Sequence, residues 1–339
     1  MDRRDFLAAL SGMAIVGATS PVQAVQSALR SNTPLYGGWL PNPGAVRQWV
    51  RRQRRPYFRQ AAPHLRESGI GKRILLWKFF EAVTGSELEP HFQGIGDCVS
   101  HGWGLGIDIL TTVQMKYHFL PQKWIAKSAT ELIYTGSRVN IGGGLVRGDG
   151  SYGIWAADWC REHGNLLRQP YLDGKYDFTT YDAQKARDWA HLCPNCTDWG
   201  GGVPDDLVPL ADEHPVRTTT LVTSWPEARD AVANGYPVTI CSDVGYNDKR
   251  DRDGFAQRQG TWYHCMLLAG IDTVGRRPGG CILNSWGEDW IDGPTRLGQP
   301  KGSFWAEAAD IDRMLKLGDS FAISNYQGYP RRNVEYRLY

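Results

Sequence analysis

The 339-residue sequence has no uninterrupted apolar stretch as long as the roughly 20 residues that a membrane-spanning helix needs. It also lacks a charge excess. With 38 Lys and Arg against 36 Asp and Glu, the net charge of +2 gives no overall basic balance from which nucleic-acid binding could be argued. What the chain has in quantity is tryptophan, 14 residues, and glycine, 39 residues, a combination that points to many tight turns beside bulky packing. At 42% hydrophobic and 22% charged it can bury a substantial core, as one large domain or two lobes.

Residues 1–24 stand apart. Arg3-Arg4 precede an apolar run from Phe6 to about Ala18, and Val22-Gln23-Ala24 offers small residues at a cleavage position, which resembles a bacterial twin-arginine export signal. The alternative is an anchoring helix, for which the run is short. The resemblance implies an exported protein, periplasmic or extracellular, with no integral membrane segment in the mature chain. Because that route carries folded proteins, it also implies a fold that does not rely on disulfides. Residues 25–90 form a basic extension, with Arg47, Arg51, Arg52, Arg54, Arg55 and Arg59 among Trp49, Tyr57 and Phe58. Its readings are an inhibitory pro-segment, an arm for anionic partners such as lipid head groups, or a solvated helical extension that packs a few aromatics on the main body. Pro43, Pro56 and Pro63 exclude a single long helix there.

From residue 91 the pattern becomes regular. Val99, Trp103, Ile107, Leu110 and Val113 recur every three to four residues, which predicts a helix that begins near Cys98 and stops near Phe119, before Pro121. Ser128 and Glu131 have capping-box spacing and predict a second helix. Glycines at 142–144 and 148–150 predict an irregular loop, followed by a third helix closed by Gly164. The second half reads as strands: residues 237–241, 264–270, 280–284, 302–307 and 319–324, with a short helix at 226–233. Helices first and strands second suggest an α+β chain with two lobes and a cleft between them, its main domain at 91–325 and a tail at 326–339.

The chemistry assembles from both halves. A cysteine at a helix amino end meets unpaired N–H groups and the positive end of the helix dipole, which favour the nucleophilic thiolate. His264, heading a strand, is the candidate base, and Asn284, ending the next strand, the candidate acceptor that orients its ring. Trp286 is placed to cover that hydrogen bond, and Gln93 to donate to an oxyanion. A Cys98 thiolate paired with a His264 imidazolium is expected to carry the thiol pKa from about 8.5 to ~4.

Gln93-Gly94 leading to Gly96-Asp97-Cys98, the run YHCMLLAGID and the run ILNSWGEDW resemble the signature blocks of papain-like cysteine peptidases. The segment EARDAVANGYPVTI and the glycine-rich loop with its helix at 148–164 extend the likeness. The resemblance implies a two-lobed fold, a helical N-terminal lobe and an antiparallel β-sheet or barrel C-terminal lobe with the active-site cleft between them. It further implies Cys98 as nucleophile, His264 as acid and base, Asn284 as orienting residue and Gln93 as oxyanion donor. Gly150 and Ser151 would pair with an extended peptide or protein substrate, and no cofactor is implied. The alternatives are a non-catalytic binding module of the same fold and an acyl-transfer enzyme, a transpeptidase or amidase, acting on cell-wall peptides. Cys98 and His264 are 166 residues apart, beyond the roughly 130 to 150 usual for such signatures, which suggests an insertion near residues 191–214. That segment holds Cys193 and Cys196; with Cys160 and His163 they have spacings that suit a zinc site, a disulfide loop or unpaired thiols. Cys265 and His101 are expected to be structural.

Overall fold

The computed structural model describes residues 37–117, 123–191 and 201–335; the proposed export signal, Cys193, Cys196 and the expected stop at Phe119–Pro121 lie outside these. All belong to one unit that begins at Pro34. Asn42 opens helix α1 (Pro43–Arg52), its Oδ1 accepting the Ala45 N–H at 2.9 Å, and Pro43 supplies a preset φ in the first turn. Trp49 is the buried anchor of α1, donating from its indole to Asp158 at 2.7 Å and meeting Phe321 edge-on. Arg47, Arg51, Arg52, Arg54, Arg55 and Arg59 are all exposed.

Helix α2 (Phe58–Ala61), strand β1 (Arg73–Leu75) and helix α3 (Trp77–Thr84) follow. Phe58, Leu65, Trp77 and Phe80 are in the core, and β1 pairs with residues 270–272 of the main sheet. The expected change of region at residue 90 is therefore not marked by a break in packing.

Helix α4 (Cys98–Tyr117) begins at the cysteine, as its spacing predicts. It is enclosed on more than the one expected face, since His101, Asp108 and Thr112 are buried as well as Val99, Trp103 and Leu110. Glycines make that enclosure possible: a methyl group on Gly102 would lie 3.0 Å from the Cys265 sulfur, and one on Gly106 3.0 Å from Ile323. Each helical glycine costs roughly 0.5–1 kcal/mol against alanine, which the close approach of the sheet offsets.

The second helix corrects the capping-box expectation. Helix α5 is Thr130–Thr135 with Ala129 as its cap, one residue later than predicted. Ser128 instead donates from both its N–H, at 2.9 Å, and its hydroxyl, at 2.7 Å, to Asp108 of α4, and Glu131 accepts from Arg168 and the Asp182 N–H. A wide π-type turn over Gly136–Ile141 leads into the glycine loop and helix α6 (Gly153–Glu162), closed by Gly164 at φ 76°. Two short paired strands, β2 (Pro170–Tyr171) and β3 (Tyr176–Asp177), then helices α7 (Ala183–Trp189) and α8 (Val208–Ala211), finish the first half.

The second half contains β4 (Thr218–Leu221), α9 (Trp225–Ala233), β5 (Val238–Arg250), β6 (Ala256–Asp272), β7 (Gly279–Leu283), β8 (Phe304–Glu307), α10 (Ala308–Leu315) and β9 (Phe321–Ser324). The strands form one antiparallel sheet in the order β4-β9-β5-β6-β7-β8, with β1 also on β6. β5 and β6 run well beyond the predicted 237–241 and 264–270. Their pairing continues from Ser242↔His264 to Arg250↔Ala256 through irregular, largely polar stretches that leave no apolar run to read. The core is continuous between α4 and the sheet, with Trp103, Leu105, Leu267 and Phe321 among its members. Among the described residues no helix is long and apolar enough to cross a membrane.

Candidate active site

The start of α4, the middle of β6 and the end of β7 bring three predicted residues together. Cys98 is fully buried, and its sulfur accepts the N–H of Cys265 at 3.3 Å, so the thiol lies against the backbone of the residue that follows His264. His264 Nε2 is 2.7 Å from Asn284 Oδ1, and Nδ1 is buried without a hydrogen-bond partner. Asn284 Oδ1 also accepts the Ser285 N–H at 2.7 Å, which fixes the carboxamide. Trp286 lies over the imidazole, ring centroids 4.6 Å apart, and packs against Trp262 and Trp290, so the histidine–asparagine bond is shielded as expected.

Gln93 is tied into its own loop. Its backbone N–H donates to Ser285 O at 2.9 Å, its Oε1 accepts the Ser285 hydroxyl at 2.6 Å, and its Nε2 donates to Ile95 O at 2.8 Å. Gly150 and Ser151 lie on a loop held by Arg138, which donates to the carbonyls of Gly150, Val146, Gly148 and Ala190.

The groove between Ser151 and Tyr263 is occupied by the chain itself. Leu40 N–H donates to Ser151 O at 3.0 Å, Ser151 N–H donates to Gly38 O at 2.8 Å, and Gly38 N–H donates to Tyr263 O at 2.9 Å. Residues 37–40 thus lie as an extended strand over the start of α4. Trp39 turns inward, 2% exposed, and its indole N–H donates to Asp319 at 2.8 Å. No sequence signal other than the Gly37-Gly38 pair, flanked by Pro41 and Pro43, marks this segment.

This cover corrects the electrostatic expectation. Burial pushes the Cys98 thiol well above its ordinary pKa, Cys265 and Asp97 push the same way, and the N–H groups of Cys265 and Trp39 oppose them. Burial pushes His264 down to about 4, against the hydrogen bond it donates to Asn284 and with His101. Both groups are neutral at pH 7 in this state, because a thiolate–imidazolium pair needs solvation or close partners that the covered groove does not supply.

The fold is similar to that of papain-like cysteine proteases. Xylellain, a cysteine protease from Xylella fastidiosa, is 16% identical with a TM-score of 0.54, over 85% of this chain and 95% of that one. A procathepsin B from Trypanosoma congolense is 13% identical with a TM-score of 0.50, over 90% of this chain and 88% of that one. In sequence the chain matches no family model and no curated protein.

Around this site lies a network that the residue types alone did not reveal. Tyr181 donates to Asp97 Oδ2 at 2.8 Å and accepts the Gly94 N–H at 3.2 Å. His101 Nε2 is 3.3 Å from the same Asp97 oxygen, and its Nδ1 is 3.0 Å from His91 Nδ1. His101 is thus built into the support of the Gln93–Cys98 loop; the four-residue spacing of Asp97 and His101 was the available signal. Cys265 is a core residue packed against Gly102, as expected.

The zinc candidates that are described are not gathered. Cys160 is wholly buried in the core and its thiol pushed up by burial, whereas His163 faces Asp212 at 3.2 Å. Among the described residues no three His, Cys, Asp or Glu side chains are grouped to hold a metal.

Proposed function

We propose that the protein is an exported papain-like cysteine peptidase held latent by its own residues 37–40. The observation that carries the reading is the 2.7 Å bond from His264 to Asn284, made through Nε2, which leaves Nδ1 as the nitrogen available to the thiol of the neighbouring Cys98. The two-lobed papain-like arrangement then sets α4 against the sheet, with the peptide groove along Gly150, Ser151 and Tyr263.

Once a peptide or water replaces the covering strand, Cys98 gives its proton to His264 Nδ1 and the thiolate attacks the peptide carbonyl. The oxyanion takes N–H bonds from the Cys98 backbone and from Gln93 after its amide turns from Ile95. His264 then passes the proton to the leaving amine, and a water deprotonated by the same nitrogen releases the acyl group from sulfur. Asn284 holds the ring throughout, and Trp286 keeps water from their bond. Residues 1–24 serve as the export signal, and the strand at 37–40 is the inhibitory part of the basic extension.

A mixed peptide set incubated with the chain carrying Gly38→Ala, which displaces the cover, tests this. Hydrolysis that disappears in the added Cys98→Ala variant is expected; an uncovered chain that cuts nothing refutes the reading. The covered, neutral pair favours one second reading, a module that holds an extended strand without cutting it, and the same experiment separates the two.

A further inference from the structure

Asp319, just before β9, is the acid that the indole of the covering strand bonds. It is 1% exposed, its Oδ2 accepts both the Trp39 indole N–H and the Gly153 N–H at 2.8 Å, and its Oδ1 has no partner. Among the described residues no Lys, Arg or His pairs with it. Burial pushes its carboxyl up to about 7, against the N–H groups at the start of α6.

The covering strand shows which of its positions reads this acid. The pairing of Gly38 and Leu40 with Ser151 uses backbone atoms and accepts any sequence. Gly38 is pressed on Gly96, and Leu40 lies over Gly150. Trp39 alone reaches the pocket floor, offering an apolar body with one N–H at its end. With the Gly153 N–H it serves Oδ2 and leaves Oδ1 without a hydrogen-bond partner, a standing cost that an occupant with a second donor removes.

We infer that Asp319 determines the specificity of the groove, selecting peptides that present beside Ser151 a side chain with an apolar stem and terminal N–H donors, arginine first and tryptophan next. Arginine's planar fork can donate to both oxygens, whereas phenylalanine fills the pocket and leaves the acid unpaired. The inference rests on the peptidase reading for its substrate, yet the recognition itself can be measured without turnover. Asp319 also accepts N–H groups of α6, so a purely structural role must be separated; Asparagine keeps an acceptor for that helix and removes the charge.

The full chain and its Trp39→Arg, Trp39→Phe and Trp39→Ala variants, each with Asp319 or Asp319→Asn, are treated with iodoacetamide, and labelling of Cys98 is followed by mass spectrometry. Trp39→Phe and Trp39→Ala should label at least about tenfold faster than the parent, the worth of one charge-assisted hydrogen bond. Trp39→Arg should stay within about threefold of the parent and lose that protection when Asp319→Asn is added. Phenylalanine protecting as well as tryptophan, or arginine labelling like alanine, overturns the inference. The Trp39→Ala chain is then given peptides in which Arg, Trp or Phe is stepped through a Gly/Leu sequence. Cleavage should favour Arg over Phe about tenfold at one position, and Asp319→Asn should abolish the preference. Cleavage without preference overturns the role of Asp319 and leaves the peptidase standing. No cleavage of any peptide overturns the peptidase, while the labelling order still decides Asp319.

Discussion

Gly38→Ala is the sharpest probe of the covered state. A methyl group at residue 38 would fall within 3.0 Å of the Gly96 oxygen, carbonyl carbon and Cα, backbone atoms that no rotamer change can move. The turn at Gly96 cannot retreat, because its N–H is held by Asp149 Oδ2 at 3.2 Å, so the strand must lift instead. Lifting by about 1 Å breaks the two backbone bonds to Ser151, at 2.8 and 3.0 Å. At roughly 1 kcal/mol each this costs about 2 kcal/mol, or roughly 30-fold in the ratio of open to covered groove. If Trp39 leaves with the strand, the effect is larger still, since a buried tryptophan contributes several kcal/mol.

The assay is the rate of iodoacetamide labelling at Cys98, read by mass spectrometry on the native chain. Cys241 and Cys281, both wholly buried in the core, serve as internal reporters of general loosening. Gly275→Ala is the control, with its nearest atom 4.0 Å away. Cys98 should label roughly 30-fold faster in Gly38→Ala while the two reporters stay slow. An unchanged Cys98 rate, or three thiols accelerating together, refutes the argument that this strand is what hides the sulfur.

Three further outcomes are expected. Arg138→Lys removes a planar fork that satisfies three carbonyls of the Ser151 loop and that of Ala190, and urea unfolding should show a loss of about 2–4 kcal/mol. On the peptidase reading, Asn284→Ala in the uncovered chain deprives the imidazole of its acceptor, so kcat should fall by roughly 10- to 100-fold with KM little changed. On acidification from pH 7 to 4.5, the unfolded chain protonates His264 while the folded chain, with its pKa near 4, does not, so stability falls. Over the same range folded Asp319, with its pKa near 7, takes up a proton that the unfolded carboxyl does not, so stability rises. Asp319→Asn removes the second effect, and urea unfolding should show it losing about 3 kcal/mol more than the parent between those pH values.

The sequence carried the elements whose causes are local. The period of Val99, Trp103 and Leu110 reports a helix because packing repeats with its turn, and Cys98 at its start follows from that period. The β-branched run before Cys241 and the apolar run after His264 report strands for the same kind of reason. The second of these runs carries His264, and the next strand, paired with it, ends just before Asn284. The capping box failed where a tertiary partner won: Asp108, buried on α4, needs donors, and Ser128 meets that need better than it would meet the free N–H groups of α5.

The charge state of the site was illegible for a different reason. A helix amino end and a nearby imidazole both favour thiolate, and each is visible in the order of residues. Desolvation is not, because it depends on what lies over the groove, and here that is a strand about 60 residues before the cysteine, anchored on an acid 280 residues after its tryptophan. Burial is the largest cause of the shift at both Cys98 and His264, so the same contacts that hide the sulfur also hold the pair neutral. Uncovering the groove removes that cause; Asp97 still pushes the Cys98 thiol up and His101 still pushes the His264 imidazole down, while the Cys265 N–H continues to favour the thiolate. On the proposed reading the ion pair expected from the motifs belongs to the opened groove, where burial no longer opposes it, and a chain whose cover is intact should present a thiol that is both shielded and unreactive.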